Sequence, residues 1–154
     1  MGVLEPLGLV PGLKGWFRDR FAKLGWPNGV RLGEFVKGCE RGERGRYHVT
    51  IVHAEDDESV PWEHGEMLFW SAANATREGG VGFEELDSEK EGMRKRLGEA
   101  GWVVEHQTER GLVREEILRW GGHDMITSYP VVSLAVLRAS EKGEGVAGGV
   151  EQGD

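Results

Sequence analysis

Cysteine is nearly absent from this 154-residue chain: Cys39 is its one thiol. A single cysteine excludes an internal disulfide and points to a reducing compartment. Long apolar runs are missing as well. No stretch of about 18 apolar residues occurs, so the sequence predicts no membrane-spanning helix. The opening residues, MGVLEPLGLVPGLKGWF, are apolar but interrupted by prolines, glycines and a lysine. They lack the basic start and continuous apolar run of a signal peptide. Positive charge is in deficit, with 19 Lys and Arg against 27 Asp and Glu and a net charge of −8. A phosphate backbone needs the opposite sign, so the balance argues against nucleic acid as a partner and leaves room only for a small local basic patch. Compact metal-binding patterns are also missing. His53, Asp57, His64 and His123 are of ligand type, but they follow neither an H-E-x-x-H nor a C-x-x-C spacing. No metal and no cofactor is expected.

What is present suits one domain with a core. Hydrophobic residues make up 38% and charged residues 30%. The end of the chain, EKGEGVAGGVEQGD (141–154), has no aromatic residue and no periodicity, and reads as a disordered tail. Residues 11–24 place Leu13, Trp16, Phe17, Phe21 and Leu24 at helical spacing. Core packing is the commoner reason for such a stripe. A short helix over Val30–Lys37 and a polar loop over Arg41–Arg46 follow. YHVTIVH (Tyr47–His53) is compact, β-rich and mostly apolar, the pattern of a buried strand in a parallel sheet. Acids come next, and Pro61 then opens a helix, PWEHGEMLFWSAANA.

Residues 77–86 read as an irregular insertion, and Ser88–Gly101 as a polar helix stopped by glycine. WVVEHQT and LVREEILRW flank a turn at Glu109–Gly111 and predict a hairpin. GGHDM (Gly121–Met125) is a loop, and YPVVSLAVLRA (Tyr129–Ala139) an apolar helix that must pack on a sheet. This order is α/β. In open α/β sheets the chemistry lies beyond the carboxyl ends of the strands, where both the acidic loop and the His123 loop fall.

The pattern H-A-E-D-D-E-S-V-P, His53 to Pro61, resembles the acid loop of the α/β-hydrolase superfamily, usually H-G-x-x-D-x-x-V-P after the seventh strand. Aligning His53, Val60 and Pro61 puts the acid on Asp57 and leaves Asp56 on a variable position. W-G-G-H-D, Trp120 to Asp124, resembles the loop after the eighth strand that carries the histidine, here His123. Within the superfamily the likeness is to serine hydrolases of monoacylglycerols and lysophospholipids, whose acid loops can read H-A-E-D-D. The two positions lie 66 residues apart, in the acid-before-histidine order of that superfamily. Taken alone, Asp57 would be read more simply as a solvated acid capping the helix after Pro61, and His123 as an unpartnered loop histidine. Asp56 and Glu55 are expected to be solvated, His53 to orient the loop, and His64 and His106 to lie on the surface. Trp16, Trp26, Trp62, Trp70 and Trp120 are expected in the core or cap. Cys39 has no assigned base and reads as a small half-buried side chain.

The likeness spans roughly residues 5–140. It implies the C-terminal portion of an α/β-hydrolase fold, a few-stranded, partly parallel sheet with flanking helices and the N-terminal strands missing. Residues 1–45 would be cap-like helices, and 46–140 the last strands with the acid and histidine loops. It implies hydrolysis of a lipid-like or other small ester, with Asp57 and His123 catalytic. The nucleophile elbow G-x-S-x-G is absent. None of Ser59, Ser71, Ser88, Ser128, Ser133 and Ser140 lies between two glycines on a strand-to-helix turn. The expectation is a truncated hydrolase product, or one part of a larger assembly. The competing expectation is a catalytically inactive fragment or interaction module, self-associating through the sheet edge left open where strands are missing.

Overall fold

The computed structural model describes residues 27–144. The helix expected over 11–24, Trp16, Trp26 and residues 145–154 of the tail lie outside the described residues. Helix α1 spans Pro27–Glu40. It is longer than the expected Val30–Lys37 because Pro27 occupies its first turn, where no N–H is required. It buries Val36 and Cys39, so the thiol is enclosed rather than half-exposed, and burial raises its pKa. Strand β1, Tyr47–Ala54, follows, with Tyr47 and Ala54 buried and the residues between them half-buried. Helix α2 covers Glu63–Ala75. Phe69, Ala72 and Ala73, at helical spacing, form its buried face.

The next stretch differs from expectation. Helix α3 spans Phe83–Met93, so helix begins inside the segment read as irregular and ends well before Gly101. Arg94 turns extended, at φ −62° and ψ 123°. Lys95–Arg96 then form strand β2 instead of continuing the helix. The inward stripe of α3 is Leu86, Lys90 and Met93, at i, i+4 and i+7. Lys90 counts as polar in any hydrophobic pattern, which hid the period. The expected hairpin is present as β3, Gly101–Gln107, and β4, Gly111–Leu118. The GGHDM segment is not loop but one helical turn, α4, Gly122–Met125, running into a 3-10 turn, Ile126–Ser128. Helix α5, Pro130–Glu144, runs past Ala139 and takes in the first four residues of the expected tail.

These elements make a mixed α/β fold around a four-stranded sheet of order β1-β4-β3-β2. β1 and β4 are parallel, in register from Tyr47↔Gly111 to Ala54↔Leu118. β3 is antiparallel to β4 and β2 to β3. A parallel neighbour needs a long crossover, and here α2, α3 and the β2–β3 pair supply it. Alternation sends Glu115 and Ile117 to one face of the sheet and Arg114 and Glu116 to the other. On the first face lie α2 and α3. The approach of α2 to β1 is close, since a Cβ on Gly65 would sit 3.2 Å from Ile51 Cγ2. On the second face α5 reaches the sheet, where Arg138 Nη1 stands 3.4 Å from Glu116 Oε2. No helix of the described residues is long and apolar enough to cross a membrane.

Gly101 makes the sharp entry into β3. Its φ is +145°, and a Cβ there would meet the Ile117 carbonyl oxygen at 2.0 Å. Backbone cannot yield as a side chain can. Gly101→Ala should therefore cost about 2–4 kcal/mol of stability, read from the urea midpoint. An unchanged midpoint would show that the β3–β4 ladder is not as tight as described.

Candidate functional site

Because β1 and β4 are parallel neighbours in register, their carboxyl ends finish at the same edge of the sheet. The loops after Ala54 and after Leu118 therefore emerge side by side. Glu55 N donates to Leu118 O at 2.8 Å, joining the two exits. Three residues past β1 stands Asp57. Its Oδ1 accepts the N–H groups of Ser59 and Val60, each at 2.9 Å, an Asx-type turn that fixes the carboxylate before the α2 segment. Its Oδ2 lies 2.9 Å from His123 Nδ1. Asp57 thus spends one oxygen on its own loop and the other on the histidine. Its side chain is only 3% exposed and that of His123 is 52% exposed.

Burial pushes the Asp57 carboxyl up, but the Val60 N–H, His123 and the Ser59 N–H outweigh it and hold the group below its ordinary value. The hydrogen bond and charge of Asp57 raise the His123 pKa. The signs define a window. Asp57 contributes stability above the ordinary carboxylate range and loses it as pH falls through its lowered value. His123 contributes below 6.5 and loses its share as pH rises through its raised value. The His123 ring protons, followed by NMR, should therefore titrate above pH 6.5. Asp57→Asn should return that midpoint towards the ordinary value. A midpoint indifferent to the substitution would show that the pair does not exist in solution.

The pair depends on the glycines before His123. Gly121 has φ +152° and Gly122 φ +50°, the latter in the left-handed region that glycine enters without strain. Gly122 N donates to Asp56 Oδ1 at 2.8 Å. Asp56 is exposed, as the sequence suggests, but it also holds a backbone N–H of the histidine loop. The two aspartates divide the work, Asp57 on the imidazole and Asp56 on the backbone that carries it. Glu55 is also engaged, accepting from Trp102 Nε1 at 3.3 Å. His53 accepts the Ala54 N–H on Nδ1 at 2.9 Å, and its Nε2 stands 3.8 Å from Asp57 Oδ2.

Other expectations need correction. His64 and His106 are half-buried, not superficial. Burial lowers both pKa values, and His106 Nε2 meets Thr76 Oγ1 at 2.9 Å. Trp62 packs edge-on to Trp102, ring centroids 5.7 Å apart, but Trp120 is 66% exposed and is not core. Among the described residues no three His, Cys, Asp or Glu side chains are grouped to hold a metal ion.

One cluster had no signal in the sequence. Lys90 is fully buried, its Nζ 2.9 Å from Glu66 Oε1 and 2.6 Å from Glu115 Oε2. The rings of Phe69, Trp70 and Trp102 each have their centroid 5.2 Å from the ammonium. Nothing in a polar-looking helix marks one lysine as interior.

Chemically, the carboxyl-end pair can orient and polarise an imidazole. With Nδ1–H donating to Asp57, Nε2 carries the lone pair and can take a proton. Among the described residues no serine hydroxyl is hydrogen-bonded to His123. Those of Ser71, Ser128 and Ser140 donate to carbonyls in the preceding turn. Comparison of the chain with family models, curated proteins and solved structures finds no match in any of the three.

Proposed function

We propose that Asp57 and His123 are the acid and base of a Ser–His–Asp ester hydrolase of the α/β-hydrolase type, acting on a lipid-like acyl ester of the acylglycerol or lysophospholipid class. The observation that carries this reading is the 2.9 Å contact between His123 Nδ1 and Asp57 Oδ2. It joins the two positions singled out by the H-A-E-D-D-E-S-V-P and W-G-G-H-D patterns. The acid loop follows β1 and the histidine loop follows the parallel neighbour β4, as in the last two strands of that fold. On this reading His123 Nε2 takes the proton of a serine hydroxyl as its oxygen attacks the ester carbonyl. Asp57 stabilises the imidazolium, which then protonates the departing alkoxide, and water hydrolyses the acyl-enzyme.

The chain has no G-x-S-x-G, so the reading assigns the nucleophile to a polypeptide segment outside these 154 residues. A fluorophosphonate probe tests this. The chain alone should stay unlabelled. Combined with a segment carrying the elbow, the label should appear on that segment's serine. Labelling of a serine in this chain would overturn the assignment.

A second reading, an interaction module without catalysis, draws on two surfaces. Among the described residues β1 pairs only with β4, leaving its other edge open to a further strand. Helix α5 also exposes Leu134, Val136 and Leu137. Analytical ultracentrifugation discriminates here, because self-association that Leu137→Arg abolishes favours the module.

A further inference from the structure

The carboxyl end of the sheet holds a second feature, independent of the hydrolase reading. A cavity of about 670 Å³ opens beside the acid loop, lined by Glu55, Asp56, Arg94, Arg96, Arg119 and Trp120, with Gly101 and Trp102 at its back. The three arginines converge there through strand register. Arg96 pairs with Trp102, and Trp102 with Ile117. Paired residues share a face, and alternation carries the same face to Arg94, two residues before Arg96, and to Arg119, two after Ile117. Arg119 is held in place by its N–H, which donates to Ala100 O at 2.8 Å. Arg94 stands over Trp102, its guanidinium carbon 4.1 Å from the ring centroid.

Three guanidinium groups in one cavity repel unless something neutralises them. Arg94 has Glu91, at 3.2 Å. Among the described residues neither Arg96 nor Arg119 forms an ion pair. The two carboxylates in the wall are already engaged, Glu55 with Trp102 Nε1 and Asp56 with Gly122 N. With Glu91 counted against Arg94, three positive charges stand against three negative, but Arg96 and Arg119 face only the two wall carboxylates, in a chain of net charge −8. The volume lies within the roughly 300–1,000 Å³ of small-molecule sites, far more than a bare ion fills. The exposed Trp120 ring adds apolar surface for the remainder of a ligand.

We propose that this cavity binds an organic anion, a phosphate monoester with an apolar or aromatic body. Arg96 and Arg119 grip the phosphate as forked donors, and Trp120 packs on the body. Such a group could be presented by a soluble phosphate ester or by a lipid headgroup at a bilayer surface, and two arms of one experiment separate these sources. In the first, phenyl phosphate is titrated into the full chain and heat is recorded, with inorganic phosphate as the comparison lacking the ring. In the second, the chain is co-sedimented with phosphatidylcholine vesicles, with and without phosphatidic acid.

Saturable binding of phenyl phosphate, tighter than that of inorganic phosphate, is expected. R96Q/R119Q should weaken it roughly tenfold or more, and Trp120→Ala should remove the advantage of the ring. R96K/R119K keeps the charge but loses the fork and should fall between. Arg46→Gln, an exposed arginine bonded to Glu109 O, should change nothing. Circular dichroism of the double variant, whose two arginines are exposed, should match that of the parent chain and so separates lost binding from lost folding. Binding to phosphatidic-acid vesicles alone, lost in R96Q/R119Q, would support the same site with a lipid headgroup as its source. No saturable binding in either arm, or binding that survives R96Q/R119Q, overturns the proposal.

Discussion

Lys90→Met should lower the free energy of unfolding by about 3–5 kcal/mol, the usual cost of removing one partner from a buried ion pair. The side chain is 1% exposed and stands between two carboxylates, Glu66 at 2.9 Å and Glu115 at 2.6 Å, that are equally enclosed. Three aromatic rings surround the ammonium and add cation–π attraction. Methionine fills the space but leaves both carboxylates without a counter-charge. The urea midpoint should fall at constant slope. Replacing all three residues together with apolar side chains of similar volume should recover most of the loss, because the desolvation penalty disappears with the charges.

This cluster also sets a pH dependence with an unusual sign. Burial pushes the Glu115 carboxyl up to about 7, against the downward pull of Lys90. A raised carboxyl value means that the folded chain holds the proton more tightly than the unfolded one. Its contribution is therefore greatest below the ordinary value of 4.5 and declines as pH rises towards about 7. Glu115→Gln should flatten that part of the stability profile. Lys90→Met should likewise cost less at pH 5 than at pH 8, since a protonated carboxyl tolerates burial. Equal costs at the two pH values would show that Glu115 remains ionised throughout.

On the proposed hydrolase reading, Asp57→Asn should reduce ester hydrolysis by about four orders of magnitude in kcat, in the chain combined with a nucleophile-bearing segment. The amide still accepts the Ser59 and Val60 N–H groups through its carbonyl oxygen, so the fold should survive. What it loses is the charge that stabilises the imidazolium and selects the tautomer with a free Nε2. His123→Ala should be comparably damaging. The double substitution should be little worse than either alone, because the two groups act as a unit. Asp56→Ala should have a smaller effect, up to roughly a hundredfold, because it frees the Gly122 backbone and misplaces the ring without removing it. Steady-state hydrolysis of a p-nitrophenyl ester measures all four variants. An unaltered rate in Asp57→Asn would remove Asp57 from the mechanism.

Asp56 and Asp57 show where sequence reading reached and where it stopped. Register against His53, Val60 and Pro61 separated the two aspartates and selected Asp57, and the W-G-G-H-D pattern selected His123. Asp56 escaped because its partner is a backbone N–H 66 residues away, a contact with no side-chain signature. The β2–β3 region was misread for a related reason. Gly101 looked like a helix stop, whereas it is the point where β3 passes under the Ile117 carbonyl.

Several of the local elements were legible in the amino-acid pattern. Hydrophobic periodicity is a property of neighbouring residues, so β1, α2, the β3–β4 hairpin and α5 could be read from it. The sequence also determined the residue types at the carboxyl-end loops. The pairing of β1 with β4 as parallel neighbours, which brings Asp57 to His123, came from the tertiary fold. Only there does Lys90 turn inward between Glu66 and Glu115, and only there do Arg94, Arg96 and Arg119 share one cavity. Strand pairing and charge burial depend on surfaces contributed from distant parts of the chain, and no local pattern records which of those surfaces will meet.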